Sequence, residues 1–152
     1  MQKNRRVPAI VLANIGTTMK GAVDRIGAIR SVLRRARVRQ SYIHCDAALG
    51  GMLLPFMPGS PPFDFRAGID SLAVSGHKFI GMPMPSGVVI ALRKHIERVR
   101  TNIEYIGTLD STLAGSRNGV TPLMLWLAIR RNGYDGFKRM VNACLHMTCY
   151  TI

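Results

Sequence analysis

Three short apolar stretches in this chain each stop at a chemically reactive residue, and that pattern constrains the fold more than any other feature. The run Ala9–Ile15 ends on Gly16-Thr17-Thr18, Tyr42–Asp46 ends on a carboxylate, and Ser71–Ser75 runs into Gly76-His77-Lys78. Short apolar runs closed by glycine or a polar residue read as strands buried on both faces, the kind found in parallel sheets. Between the first two, Gly21–Val38 carries Val23, Ile26, Ile29 and Leu33 at three-to-four spacing, which predicts an amphipathic helix. Glycines and prolines from Gly50 to Pro62 mark a long loop, Gly81–Pro85 a turn, and Gly87–Leu92 a fourth strand followed by a basic helix through Arg100. Pro122–Arg131 and Tyr134–Met147 read as two further helices, with Gly133 as the break. Strand, helix, strand, loop, strand is an α/β order with a mainly parallel sheet. Such sheets gather ligands beyond the carboxyl ends of their strands, where the three reactive endings converge.

Composition closes off several classes. The chain has 152 residues, 47% apolar and 19% charged, enough for a core and unlike a disordered segment. Its longest clean apolar run, Leu123–Ile129, is far short of the roughly 20 residues that cross a bilayer, so no membrane partner is expected. Met1–Arg6 followed by Val7–Ala13 mimics a secretory leader, but no small-x-small cleavage site follows, and a buried strand is the expectation. Three cysteines make no disulfide framework and suit a reducing compartment, hence the cytoplasm. The net charge of +13 favours polyanions in general. The arginines at 30, 34, 35, 37 and 39, and those of 93–100 and 130–139, lie on segments of helical spacing, the first two without interleaved aromatics, so they read as solvated faces and nucleic-acid binding is not expected. His44 and Cys45 would point to opposite faces of a strand, and among Cys144, His146 and Cys149 only the last two share a helix face, so no metal site is expected.

The reactive residues have a common chemistry. A lysine in a partly apolar pocket, as Lys78 would be between Gly76-His77 and Phe79-Ile80, can attack a carbonyl as the neutral amine. A carboxylate at a strand end, Asp46, needs a cationic or hydrogen-bonding partner, and a protonated pyridine nitrogen is one. Ala47 and Ala48 let a flat ring approach, Thr17 and Thr18 offer hydroxyls, and Ser75 and His77 can donate to a phosphate. Taken singly each residue has a structural explanation; together they are the parts of a pyridoxal-phosphate site.

The motifs Asn14-Ile15-Gly16-Thr17-Thr18-Met19-Lys20-Gly21-Ala22-Val23-Asp24, Tyr42-Ile43-His44-Cys45-Asp46-Ala47-Ala48, Val74-Ser75-Gly76-His77-Lys78-Phe79 and Gly115-Ser116-Arg117-Asn118-Gly119 resemble, in order and over almost the whole chain, the pyridoxal-phosphate-dependent group II amino-acid decarboxylases. The likeness is to the histidine decarboxylase and plant-type serine decarboxylase branch. It implies the aspartate-aminotransferase-like fold, with residues 1–152 as the central part of the cofactor-binding large domain and the N-terminal segment and C-terminal small domain of the family lying outside it. It implies Lys78 as the Schiff-base lysine, Asp46 as partner of the ring nitrogen, Ala48 against the ring face, His77 and Ser75 at the phosphate, Thr17 and Thr18 beside the cofactor, and Arg117 and Ser116 near the active site or a dimer interface. The implied reaction releases carbon dioxide from an L-amino acid, histidine to histamine or serine to ethanolamine, in a homodimeric full-length form. The chain departs from the family pattern at Arg25, Ser86 and Val120. The rival reading from composition alone is a non-catalytic remnant that acts as a basic interaction module.

Overall fold

A computed structural model describes residues 7–103, 108–110 and 117–151. Four strands form one sheet in the order β1 (Ala9–Asn14), β2 (Ser41–Asp46), β3 (Ser71–Ser75) and β4 (Gly87–Ala91). The first two pairings are parallel and the third antiparallel, so the sheet is mainly parallel as expected. Two parallel pairings put the carboxyl ends of β1, β2 and β3 on one edge, which is where the reactive endings meet.

Helix α1 (Ile26–Arg35) connects β1 to β2 and is shorter than the Gly21–Val38 periodicity predicts. The missing turns are spent on the strand exit. Gly16 and Thr17 N–H both donate to the Ala22 carbonyl at 3.0 Å, and Gly21 sits at φ 60°, so residues 16–25 fold back on β1 instead of starting a helix. The connection from β2 to β3 contains only short 3-10 turns. After β4 come α2 (Arg93–Val99) and a small antiparallel pair, β5 (Thr101–Ile103) and β6 (Thr108–Asp110), that sequence patterning does not show. The last element, α3 (Val120–Thr151), is two helical halves that meet at Gly133, whose φ of 59° and ψ of −172° break the ladder where glycine predicts a break.

The core lies on one face of the sheet. Ala13, Ile15, Ile43, Cys45, Ala47, Leu72 and Val74 point into it and are joined by Ile26 and Leu33 of α1 and Phe137 of α3. Along β1 the opposite face is open among the described residues, which corrects the expectation that this strand is buried on both faces: Ile10 is 83% exposed and Leu12 62%, whereas Ser71 on the same face of β3 is buried. Apolar content on both faces of a strand shows that both can be covered, but covering depends on neighbours that the strand's own sequence does not supply. Strand β1 is also an edge of the four-stranded sheet.

Candidate cofactor site

The strand register builds the site. Asn14 and Asp46 are paired residues of β1 and β2, so both side chains leave the same face at the carboxyl edge, while their neighbours Ala13 and Cys45 enter the core. Asp46 Oδ1 accepts the Ala48 N–H at 3.2 Å, an Asx-type turn that orients the carboxylate. The Ser75 N–H donates to the Ala48 carbonyl at 3.0 Å and the Ala47 N–H to the Ala73 carbonyl at 3.0 Å, stitching the end of β2 to β3. Gly50 then passes so close to β1 that a Cβ there would run into the Ile15 carbonyl. The Gly50-Gly51 pair therefore permits a close chain crossing behind the site.

Lys78 stands three residues beyond β3 in a loop closed on itself. Gly76 N–H donates to the Ser86 carbonyl, Met82 N–H to the Gly76 carbonyl, both at 3.0 Å, and Gly81 N–H to the Lys78 carbonyl at 3.1 Å. Buried Met82 accepts the Ser86 hydroxyl proton at 3.3 Å. A Cβ at Gly76 would strike the Ser86 hydroxyl and approach Met82 Sδ to 2.6 Å, so a larger residue would displace the Ser86–Met82 contact. The Phe79 ring meets Phe137 of α3 at 6.4 Å between centroids, which ties the loop to the core.

These elements enclose a cavity of about 230 Å³, lined by Asn14, Gly16, Thr17, Thr18, Asp46, Ala48 and Lys78. Lys78 and Asp46 thus face one space from different strands. The predicted residues do not all share it. The Thr17 hydroxyl accepts the Ala22 N–H at 3.0 Å and so closes its own turn, whereas Thr18 is exposed at the rim. Ser75 and His77 adjoin the cavity along the chain without lining it; His77 Nδ1 accepts the Ser86 N–H at 3.1 Å. Arg117 is exposed before α3, and the adjoining Asn118 reaches Met84 of the lysine loop at 3.3 Å. Ser116 lies outside the described residues. The partly apolar pocket expected around Lys78 is not found: the residue is exposed, and Asn14, Thr17, Thr18 and Asp46 make its surroundings polar. A strand-to-loop junction at an open sheet edge lacks the covering layer that desolvation requires.

Behind the cavity, burial pushes the Cys45 thiol up to about 11, and the Asp24 carboxylate adds to the rise. A larger hollow of about 280 Å³ lies inside the proline-rich 54–64 loop, lined by Leu54, Pro61, Pro62 and Phe63 among others, with Asp64 as its only ionisable group. Among the described residues, no group of three or more His, Cys, Asp and Glu side chains is placed to hold a metal, and no helix is long and apolar enough to cross a membrane.

The donor set of the first cavity fits a cofactor with a carbonyl and a basic ring nitrogen. It offers a primary amine, a carboxylate oriented by a backbone N–H, a small alanine and a free hydroxyl, in a volume below the roughly 300–1,000 Å³ of drug-sized sites. The chain matches the pyridoxal-dependent decarboxylase conserved domain over residues 1–151. It belongs to that family. It is 49% identical over 147 residues to a histidine decarboxylase of Mesorhizobium japonicum, covering 97% of this chain and 40% of the relative. It is 50% identical over 146 residues to serine decarboxylase 2 of Oryza sativa subsp. japonica, covering 95% of this chain and 31% of the relative. In structure it is similar to an L-methionine decarboxylase from Streptomyces sp. 590 in complex with an amine, with a TM-score of 0.82 and 28% identity over 98% of this chain and 38% of the other. The chain thus spans between about a third and two fifths of these family members.

Two residues that line the cavity, Asn14 and Gly16, were not among the candidates that sequence reasoning assigned a role. The signal for Asn14 is a polar residue inside an otherwise apolar run; it is the end of β1 and pairs with Asp46 itself.

Proposed function

We propose that this chain is the central part of the cofactor-binding large domain of a pyridoxal-phosphate-dependent amino-acid decarboxylase, and that its cavity holds the cofactor. The observation that carries the reading is that the Lys78 amine and the Asp46 carboxylate, brought from different strands, line one small cavity with Ala48 and Thr18. Bound pyridoxal phosphate supplies a ring that accepts the electron pair left when the bond to a carboxylate breaks. The protein's part is positioning. Lys78 would hold the cofactor through its carbonyl, with Nζ as the amine that binds it. Asp46, with Oδ1 bonded to the Ala48 N–H, would have its second oxygen for a ring N–H and would favour the cationic form of that nitrogen. Ala48 leaves room for the ring face. Thr17, Thr18, Ser75 and His77 supply donors at the strand ends, and Arg117 and Ser116 come from the segment beside the lysine loop.

The substrate is an L-amino acid, with histidine and serine the first candidates because relatives of both names stand at about equal identity. The full-length form is a homodimer, and three unpaired cysteines suit a cytoplasmic setting. Among the described residues, Arg34 and Arg35 at the end of α1 answer the negative end of its dipole, and so lend no support to the basic-module reading.

Titration with pyridoxal phosphate tests the assignment. The protein is expected to gain a near-ultraviolet to visible band that borohydride bleaches and Lys78→Ala abolishes with the fold intact. Release of carbon dioxide from histidine or serine would then identify the substrate. A folded wild-type protein that takes up no cofactor would overturn the reading.

A further inference from the structure

We propose that Asn14 is a positioning residue for the Asp46 carboxylate, a neutral spacer that holds the strand end in place without adding charge; the inference rests on the cofactor reading of the cavity. Three hydrogen bonds join Asn14 to Asp24: backbone N–H to Oδ2 at 2.8 Å, Nδ2 to the same oxygen at 3.4 Å, and Asp24 N–H to the Asn14 carbonyl at 2.9 Å. With the Ile15–Val23 bridge they close the loop that carries Thr17 and Thr18. On its other side Asn14 is the register partner of Asp46, and Ile15 N–H donates to the Asp46 carbonyl at 2.8 Å. Asn14 therefore stands between two carboxylates at the cavity wall.

Its chemistry suits that place. The same face of β1 carries Ile10 and Leu12, so strand formation alone asks for another apolar residue. Leucine would leave the Asp24 carboxylate without its side-chain donor. Aspartate, of the same shape, would put a third negative charge between Asp24 and Asp46, and like charges at paired strand positions repel. Only a neutral donor of this length satisfies Asp24 and leaves Asp46 as the sole charge facing the cavity from the sheet.

The test uses Asn14→Leu and Asn14→Asp in the whole chain, with pyridoxal phosphate affinity measured from the visible band across pH and unfolding midpoints measured alongside. Asn14→Leu is expected to weaken cofactor binding about tenfold, the scale of a hydrogen bond to a charged group. Asn14→Asp is expected to bind poorly at about pH 8 and to recover relative to wild type toward about pH 5, as the introduced carboxyl takes up a proton and can donate again. Wild-type affinity in both variants, or loss of affinity no larger than the loss of stability and with no pH recovery, would overturn the inference alone. Absence of the borohydride-sensitive band from the wild type would overturn it together with the cofactor reading.

Discussion

Cys45 reports on the strand register that places Asp46. The two are adjacent on β2 and point to opposite faces, so a one-residue slip would bring the thiol into the cavity and the carboxylate into the core. The buried thiol is 0% exposed and is pushed from 9.0 to about 11. The folded state thus keeps a proton that the unfolded chain gives up. Its contribution to stability is complete below about pH 9 and is lost as pH rises through about 11. At 1.36 kcal/mol per unit, the loss amounts to about 1 kcal/mol by about pH 10 and about 2 kcal/mol by about pH 11. Urea unfolding of wild type and Cys45→Ala at a series of pH values isolates it, because lysines and tyrosines titrate alike in both proteins. The advantage of wild type over Cys45→Ala should shrink by those amounts between about pH 8 and about pH 11. Parallel curves would mean that the folded thiol meets water, and the alternation that sends Asp46 to the cavity would fall with it.

Other perturbations separate the scaffold from the site. Gly50→Ala should cost about 1–3 kcal/mol by denaturant titration, since the added methyl meets backbone and not a side chain that can swing away. Phe137→Ala removes a ring that is 4% exposed and braces Phe79 beside Lys78; a loss of about 3–5 kcal/mol is expected, with faster proteolysis of the 76–86 loop, and a loss below 1 kcal/mol would show that α3 does not anchor that loop. Asp46→Asn should leave the melting temperature nearly unchanged because the side chain is exposed, yet weaken pyridoxal phosphate binding in a fluorescence titration; equal affinity in the variant would remove Asp46 from its assigned role.

Much of this protein is legible one segment at a time. Strand β3 has the predicted bounds because both ends carry strong local signals, and the break at Gly133 was readable because only glycine takes that backbone turn cheaply. The same locality explains why Thr17, Thr18, Asp46 and Lys78 could be picked out as strand endings, and why the motifs resembled a family to which the chain belongs. What a segment cannot encode is what lies beside it. The periodicity from Gly21 onward looks helical, but hydrogen bonds to β1 claim residues 16–25 before a helix can start. Apolar Ile10 and Leu12 suggested burial, and only the packed structure shows which face of the sheet the core occupies. Thr17 and Thr18 are alike as letters and differ once the Thr17 hydroxyl is held in place by the Ala22 N–H it accepts. The sequence alone determined the chemical groups and the strand ends that bear them, because both follow from residue type and short-range pattern. Tertiary structure decided which groups meet, because a register between strands far apart in the chain brings Asn14, Asp46 and Lys78 to one wall, and register is a property of paired segments.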